Sequence, residues 1–260
     1  MKNTVALITG ASGGIGYEFA KLLAKDCSTV ILVARGKEKL VEVKKELELL
    51  APVRVFVLPK DLAQAGAAEE LFDEVEKEKL SVDILINNAG FGDHGAFVDT
   101  DWAKESDMLA LNITALTHMT KLFLKGMIRR KRGRIVNVAS AAAFQPGPFM
   151  AVYYASKAYV LSFSEAIANE LKGTGVTVTV LCPGPTTTGF AQAAGAERSF
   201  LFRYRKPASP SDVARYGYNA MMKGKTVAIH GLLNKLLIMS TRLSPRWIPP
   251  AIVRRLHRKA

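Results

Sequence analysis

Tyr153 and Lys157 stand four residues apart in a stretch, Ala151–Lys172, whose apolar residues recur at helical spacing. On a helix that separation puts the phenol and the ammonium on one face, a turn apart. An unperturbed phenol titrates near ~10. A neighbouring positive charge favours the phenolate and pulls that value toward neutrality. A tyrosine in that setting can exchange a proton with a carbonyl or carbinol oxygen. Tyr154 has no such companion, because Ala158 lies four residues beyond it. Ser140 ends the strand-like segment Arg134–Ala139, thirteen residues before Tyr153. Taken alone, a serine there is a turn residue. Asn112 sits between Leu111 and Ile113 in a helical pattern, where an amide is a poor helix former. Cys182 reads as a small buried residue, since no histidine is placed to activate it. No Cys/His cluster has zinc spacing, so no metal is expected.

A second group of residues suits a phosphate. Thr9-Gly10-Ala11-Ser12-Gly13-Gly14-Ile15-Gly16 joins an apolar, β-branched run to a helical pattern. Glycines let the backbone turn sharply and come close to a ligand. The start of a helix offers unpaired N–H groups and the positive end of a dipole, which suits a pyrophosphate. The spacing is Gly-x-x-x-Gly-x-Gly rather than the common Gly-x-Gly-x-x-Gly.

The elements that must hold these groups alternate along the chain. Strand-like segments are expected at Thr4–Thr9, Ser28–Ala34, Val53–Leu58, Val82–Ile86, Arg134–Ala139, Val176–Leu181 and Thr226–His230. Helical patterns cover Gly14–Lys25, Lys37–Leu50, Ala65–Lys79, Asp101–Gly126 and Ala151–Lys172. Short buried strands separated by amphipathic helices imply an α/β fold, a doubly wound parallel sheet with helices on both faces. We read one domain over residues 1–230, followed by a basic, apolar extension, 231–260. The 260 residues are 49% hydrophobic and 23% charged, which excludes disorder as the main state. No apolar run reaches the roughly 18 residues that span a bilayer, and the run Val5–Ile8 is too short for a secretory core. With only Cys27 and Cys182 a disulfide framework is excluded, and a cytoplasmic location is expected.

Four motifs in register resemble the short-chain dehydrogenase/reductase family: Thr9–Gly16, Asn87-Asn88-Ala89-Gly90, Tyr153-x-x-x-Lys157 and Pro183-Gly184. The resemblance covers about residues 1–230. It implies a Rossmann-type fold and a nicotinamide dinucleotide at the carboxyl ends of the strands. The phosphates would meet Gly10, Ser12, Gly13, Gly14, Ile15 and Gly16. Asp61 and Leu62 resemble the family's adenine-contacting pair, and Asn88, Ala89 and Gly90 would line the adenosine side. The second strand ends Val33-Ala34-Arg35, with no acid to hold the ribose hydroxyls of NAD. Arg35 offers a fork of donors to a 2′-phosphate, so NADP(H) is expected ahead of NAD(H). By resemblance, Ser140 is the active-site serine, Asn112 holds a water that links Lys157 to solvent, and Lys157 also holds the nicotinamide ribose. Pro183 and Gly184 would meet the carboxamide, with Thr186 and Thr188 beside them.

The implied reaction is reversible hydride transfer between the nicotinamide and a ketone, aldehyde or secondary alcohol. Phe144, Gln145, Pro146, Pro148, Phe190 and Phe200–Phe202 point to an apolar substrate, and His94 reads as a solvated loop residue. A non-catalytic dinucleotide-sensing protein and a membrane-associated lipid or acyl carbonyl reductase are the alternatives. Residues 201–260 hold 13 Lys/Arg against one acid, Asp212. Leu232, Leu233, Leu236, Leu237 and Met239 load one side of a helix there. Packing on the same protein or a neighbouring subunit is favoured over contact with an anionic membrane. Nucleic acid is not an expected partner, since no recognition motif accompanies the charge. The resemblance implies a homodimer or homotetramer.

Overall fold

The computed structural model describes residues 3–196 and 207–257. Seven strands form one sheet: β1 (Val5–Thr9), β2 (Thr29–Ala34), β3 (Arg54–Pro59), β4 (Val82–Asn87), β5 (Gly133–Val138), β6 (Val176–Cys182) and β7 (Val227–Ile229). Every pair is parallel, in the order β3-β2-β1-β4-β5-β6-β7. The helices are α1 (Gly14–Asp26), α2 (Lys37–Leu50), α3 (Ala67–Lys77), α4 (Trp102–Leu109), α5 (Leu116–Arg129), α6 (Ala151–Glu170), α7 (Phe190–Ala193), α8 (Pro210–Met222), α9 (Leu232–Leu243) and α10 (Ile248–His257). The doubly wound sheet expected from the sequence is present, and its strand boundaries fall within one or two residues of the expected ones. Phe200–Phe202, expected at an apolar substrate, lie outside the described residues.

Alternation along the strands builds two cores. Ala6 and Ile8 point to one face, where they join Phe19, Leu23, Leu40 and Val213 from α1, α2 and α8. Val5 and Leu7 point to the other, with Leu71 and Phe123 from α3 and α5. Burial on both faces explains why the strands are continuous apolar runs rather than alternating ones. The strand order reverses between β1 and β4. The connections there leave in opposite directions and open a crevice at the carboxyl ends of the strands.

The single helix expected over Asp101–Gly126 is interrupted. Ala110–Ala115 adopts a π-turn between α4 and α5. Such turns widen a helix locally and redirect a side chain. Here the turn carries Asn112, which is fully buried. After β7 the chain forms α9 and α10. Pro249 and Pro250 fall in the first turn of α10, where a missing N–H costs no intrahelical hydrogen bond.

Candidate active site

A cleft of about 870 Å³ opens at the carboxyl ends of the central strands. The glycine turn after β1 makes one wall. Gly10 has φ +65° and Gly14 φ +56°, the left-handed region that glycine enters without strain. A Cβ on Gly10 would lie 2.7 Å from Asn88 Nδ2. Gly13, at the N-cap of α1, is in extended backbone, and a Cβ there would meet nothing within 4 Å. No side chain caps α1, so its first amides are left for whatever fills the cleft. A cradle of this kind, open at Gly13 and tight at Gly10, fits a dinucleotide pyrophosphate. Ser12 and Ile15 also line it, whereas Gly16 does not. Gly16 lies against the carbonyl oxygen of Gly10, where a Cβ would collide. Its part is close packing of α1 on β1.

Asn88 braces the turn. Its Nδ2 donates to the carbonyl oxygens of Thr9 (3.0 Å) and Gly10 (3.2 Å). Thr9 Oγ1 in return accepts from the amides of Asn88 and Ala89, both at 3.0 Å. The ends of β1 and β4 are thereby locked together across the switch point. Arg35 lines the far end of the cleft, exposed, just past the end of β2 and before the uncapped start of α2. Among the described residues it makes no ion pair within 4.0 Å. Asp61 and Leu62 are beside it in the wall, and Asp61 Oδ1 accepts from the Ala63 amide at 3.1 Å.

Tyr153, Lys157 and Ser140 meet near the middle of the cleft. Lys157 Nζ is 5.9 Å from the centroid of the Tyr153 ring. Ser140 stands close enough to the phenol to favour its ionised form, and its Oγ accepts from the Ala142 amide at 3.1 Å. In this arrangement the phenol is not acidified. Burial pushes Tyr153 up to about 12, against a lowering by Ser140. In the protein by itself removal from water outweighs that one lowering contact, and the expected acidification also calls on the positive charge of a bound nicotinamide. Lys157 carries the opposite effect: burial brings it down to about 8. Its Nζ donates to the carbonyl oxygen of Val138 at 2.9 Å, which orients the ammonium.

Asn112 is set behind these groups and does not line the cleft. Its Oδ1 accepts from the Phe91 amide at 3.2 Å, and its Nδ2 donates to Phe91 O (3.0 Å) and Ser156 Oγ (3.1 Å). Gly90 lies between: a Cβ there would sit 2.8 Å from Asn112 Oδ1 and 3.3 Å from Lys157 Nζ. The absence of a side chain on Gly90 therefore lets the amide and the ammonium approach each other.

Pro183, Gly184, Thr186 and Thr188 line the wall after β6. Thr186 Oγ1 donates to the Gly184 carbonyl at 2.9 Å, and Thr188 Oγ1 accepts from the Phe190 amide at 3.2 Å. Phe190 brings its ring to 5.1 Å from that of Tyr153. Gln145 also lines the cleft. Phe144 packs instead beside the cluster around Val160 and Val180. Burial pushes the Cys182 thiol up to about 12, in keeping with an unreactive residue.

Sequence reasoning missed the contribution of the C-terminus. Asn234, Leu237 and Ile238 of α9, and Val253, Leu256 and His257 of α10, line the cleft. His257 Nε2 is 2.7 Å from Tyr154 Oη, and His94 Nε2 donates to the His257 carbonyl oxygen at 2.8 Å. His94 is thus half-buried and bonded rather than solvated. The loop after β4 packs against the end of the chain, and no local pattern announces a contact over 163 residues.

Comparison with known proteins agrees with this fold. The family model described as short chain dehydrogenase matches residues 4–199. The ketoacyl reductase HetN of Nostoc is 35% identical over 178 residues, covering 68% of this chain and 62% of that protein. A very-long-chain 3-oxoacyl-CoA reductase of Anas platyrhynchos is 38% identical over 184 residues, covering 68% and 58%. The chain thus spans about three fifths of the length of these relatives. A solved structure, a short-chain dehydrogenase from Sphingobium yanoikuyae in complex with NADPH, superposes with a TM-score of 0.82 at 28% identity, covering 92% of this chain and 94% of that one. The matched region holds the glycine turn, Asn88–Gly90, Ser140 and the Tyr153/Lys157 pair, and this chain belongs to the short-chain dehydrogenase family.

Proposed function

We propose that this protein is an NADP(H)-dependent oxidoreductase that reduces a ketone or aldehyde of apolar character to its alcohol, and runs the reverse reaction. The observation that carries the reading is the cleft itself: Tyr153, Ser140 and Lys157 share one cavity with an uncapped helix start and an open glycine turn. When bound, a nicotinamide dinucleotide supplies the hydride that adds to the carbonyl carbon.

The chain's own residues supply the rest. Ser140 donates a hydrogen bond to the substrate oxygen and holds it beside Tyr153. Tyr153, kept protonated by burial, gives its phenolic proton to that oxygen as the carbon accepts hydride. Carbonyl, hydride and proton together make the alcohol. The Lys157 ammonium then faces the phenolate left behind and stabilises it until a proton returns. Asn112 fixes the backbone at Phe91 and so the position of Gly90 next to Lys157. Arg35 and the start of α2 supply the positive field that suits a 2′-phosphate.

Met150, Phe190, Leu237, Ile238 and Val253 make the substrate end of the cleft apolar. The names of the relatives, ketoacyl reductase and 3-oxoacyl-CoA reductase, support an acyl or similarly bulky carbonyl compound. The test is NADPH consumption across a panel of ketones, aldehydes and 3-oxoacyl thioesters, with Tyr153→Phe in parallel. Loss of a positioned proton donor should cost at least ~10²-fold in kcat. Equal rates in parent and variant would remove Tyr153 from the mechanism. NADPH binding without turnover of any substrate would favour a sensing protein.

A further inference from the structure

The side of α9 that looks away from the protein is its apolar side. Leu232, Leu236, Met239 and Leu243 follow one another at intervals of four, three and four, a single stripe along three turns. They are 72, 56, 62 and 86% exposed. Ile238, on the opposite side, is the buried residue of this helix. Trp247 and Ile252 extend the exposure into α10. A stripe of this kind normally turns toward a core, so an outward one marks a surface that meets something apolar.

The charge of the same segment narrows what that is. Residues 231–257 carry Lys235, Arg242, Arg246, Arg254 and Arg255 and no acidic residue. All four arginines are exposed. We propose that α9 and α10 dock this protein on the surface of an anionic lipid bilayer. The leucine stripe and Trp247 enter the boundary between headgroups and acyl chains, and the arginines meet the headgroup phosphates. No helix among the described residues is long and apolar enough to cross a membrane, so this contact is peripheral.

A second copy of the chain suits the surface less well. A two-fold contact sets a patch against itself. Here it would bring arginines against arginines with no carboxylate in the segment to answer them. The docking face also adjoins the cleft. Leu237, between the stripe and Ile238, and Leu256 of α10 belong to the cleft wall. An apolar carbonyl compound dissolved in the bilayer would thus enter beside Tyr153 without crossing water. That consequence rests on the proposed reductase reading, whereas the docking does not.

The experiment is co-sedimentation of the full chain with vesicles of phosphatidylcholine alone and of phosphatidylcholine mixed with phosphatidylglycerol. Anionic vesicles should carry down at least ~10-fold more protein than neutral ones, less as salt is raised. The double variant Leu236→Asp/Leu243→Asp should lose ~10-fold of that binding with its unfolding midpoint unchanged, because both side chains already face water. Parent protein that stays in the supernatant with anionic vesicles would overturn the proposal. So would undiminished binding of the double variant. A parent oligomer that ignores vesicles and becomes a monomer on that substitution would assign the face to a second copy instead. Turnover is not read, so vesicle binding with a failed carbonyl screen would remove the reductase reading and leave the docking standing.

Discussion

Tyr154 Oη and His257 Nε2 lie 2.7 Å apart, a hydrogen bond between the neighbour of Tyr153 and the last turn of α10. Both side chains are buried, and their rings meet edge to face at 5.6 Å. The bond ties α10 to the cleft wall that Tyr153 and Tyr154 share. Tyr154→Phe removes it and leaves the imidazole nitrogen without a partner, which should cost about 1–3 kcal/mol. With α10 loosened, KM for bulky ketones should rise several-fold while kcat is largely kept. Steady-state kinetics separate the two. A fall in kcat at constant KM would place Tyr154 in the chemistry rather than in the wall.

His257 also makes this contact sensitive to pH. Burial, and then charge repulsion from His94, bring its imidazole down from 6.5 to about 4. As pH falls through 6.5 the unfolded chain takes up a proton that the folded chain refuses. Stability from this group is therefore complete above about pH 6.5, declines between there and pH 4, and has gone below. The window is worth up to about 3 kcal/mol. Denaturant melts at several pH values should show the decline in the parent and a shallower one in His257→Leu. Equal slopes would refute it.

Arg35 is an exposed cation lining the cleft just past β2, where the proposed reading puts the 2′-phosphate. Arg35→Asp exchanges a phosphate-binding fork for a carboxylate that repels a 2′-phosphate and accepts from ribose hydroxyls. The ratio of NADPH to NADH affinity should fall by roughly 10–100-fold, from the strength of a charge-assisted hydrogen bond. Titration of intrinsic fluorescence with each dinucleotide measures it. An unchanged ratio would show that Arg35 does not select the cofactor.

Gly16 faces the carbonyl oxygen of Gly10. A Cβ there meets backbone, which cannot swing aside as a side chain can. Gly16→Ala should destabilise the protein by about 1–3 kcal/mol, as overpacking does. It should also weaken dinucleotide binding, because α1 carries the open amides. Gly13→Ala is the control: its Cβ meets no protein atom within 4 Å, so its effect should fall on binding with stability nearly kept. Equal stability losses in the two would contradict the packing argument.

Local patterns carried much of the fold. The apolar strands and the helix periods are short-range signals, and β1 to β7 appear close to where they were expected. The π-turn at Ala110–Ala115 was not legible, since its sequence reads as ordinary helix and Asn112 alone hints at an interruption. The same holds for Phe144, whose spacing from Ser140 pointed at the substrate but whose side chain packs inward. The burial of Tyr153 was not legible for a related reason. Sequence spacing reports that a lysine is near, but burial is a property of everything packed around the ring.

Residue type and spacing by themselves determined the doubly wound architecture, the glycine turn and the pairing of Tyr153 with Lys157, because each depends on neighbours a few residues apart. Only the tertiary structure decided that His94, Tyr154 and His257 meet at one end of the cleft, and that the leucines of α9 face outward. Those outcomes depend on how helices dock over long separations. Periodicity shows that a helix has an apolar side, but not which way that side turns.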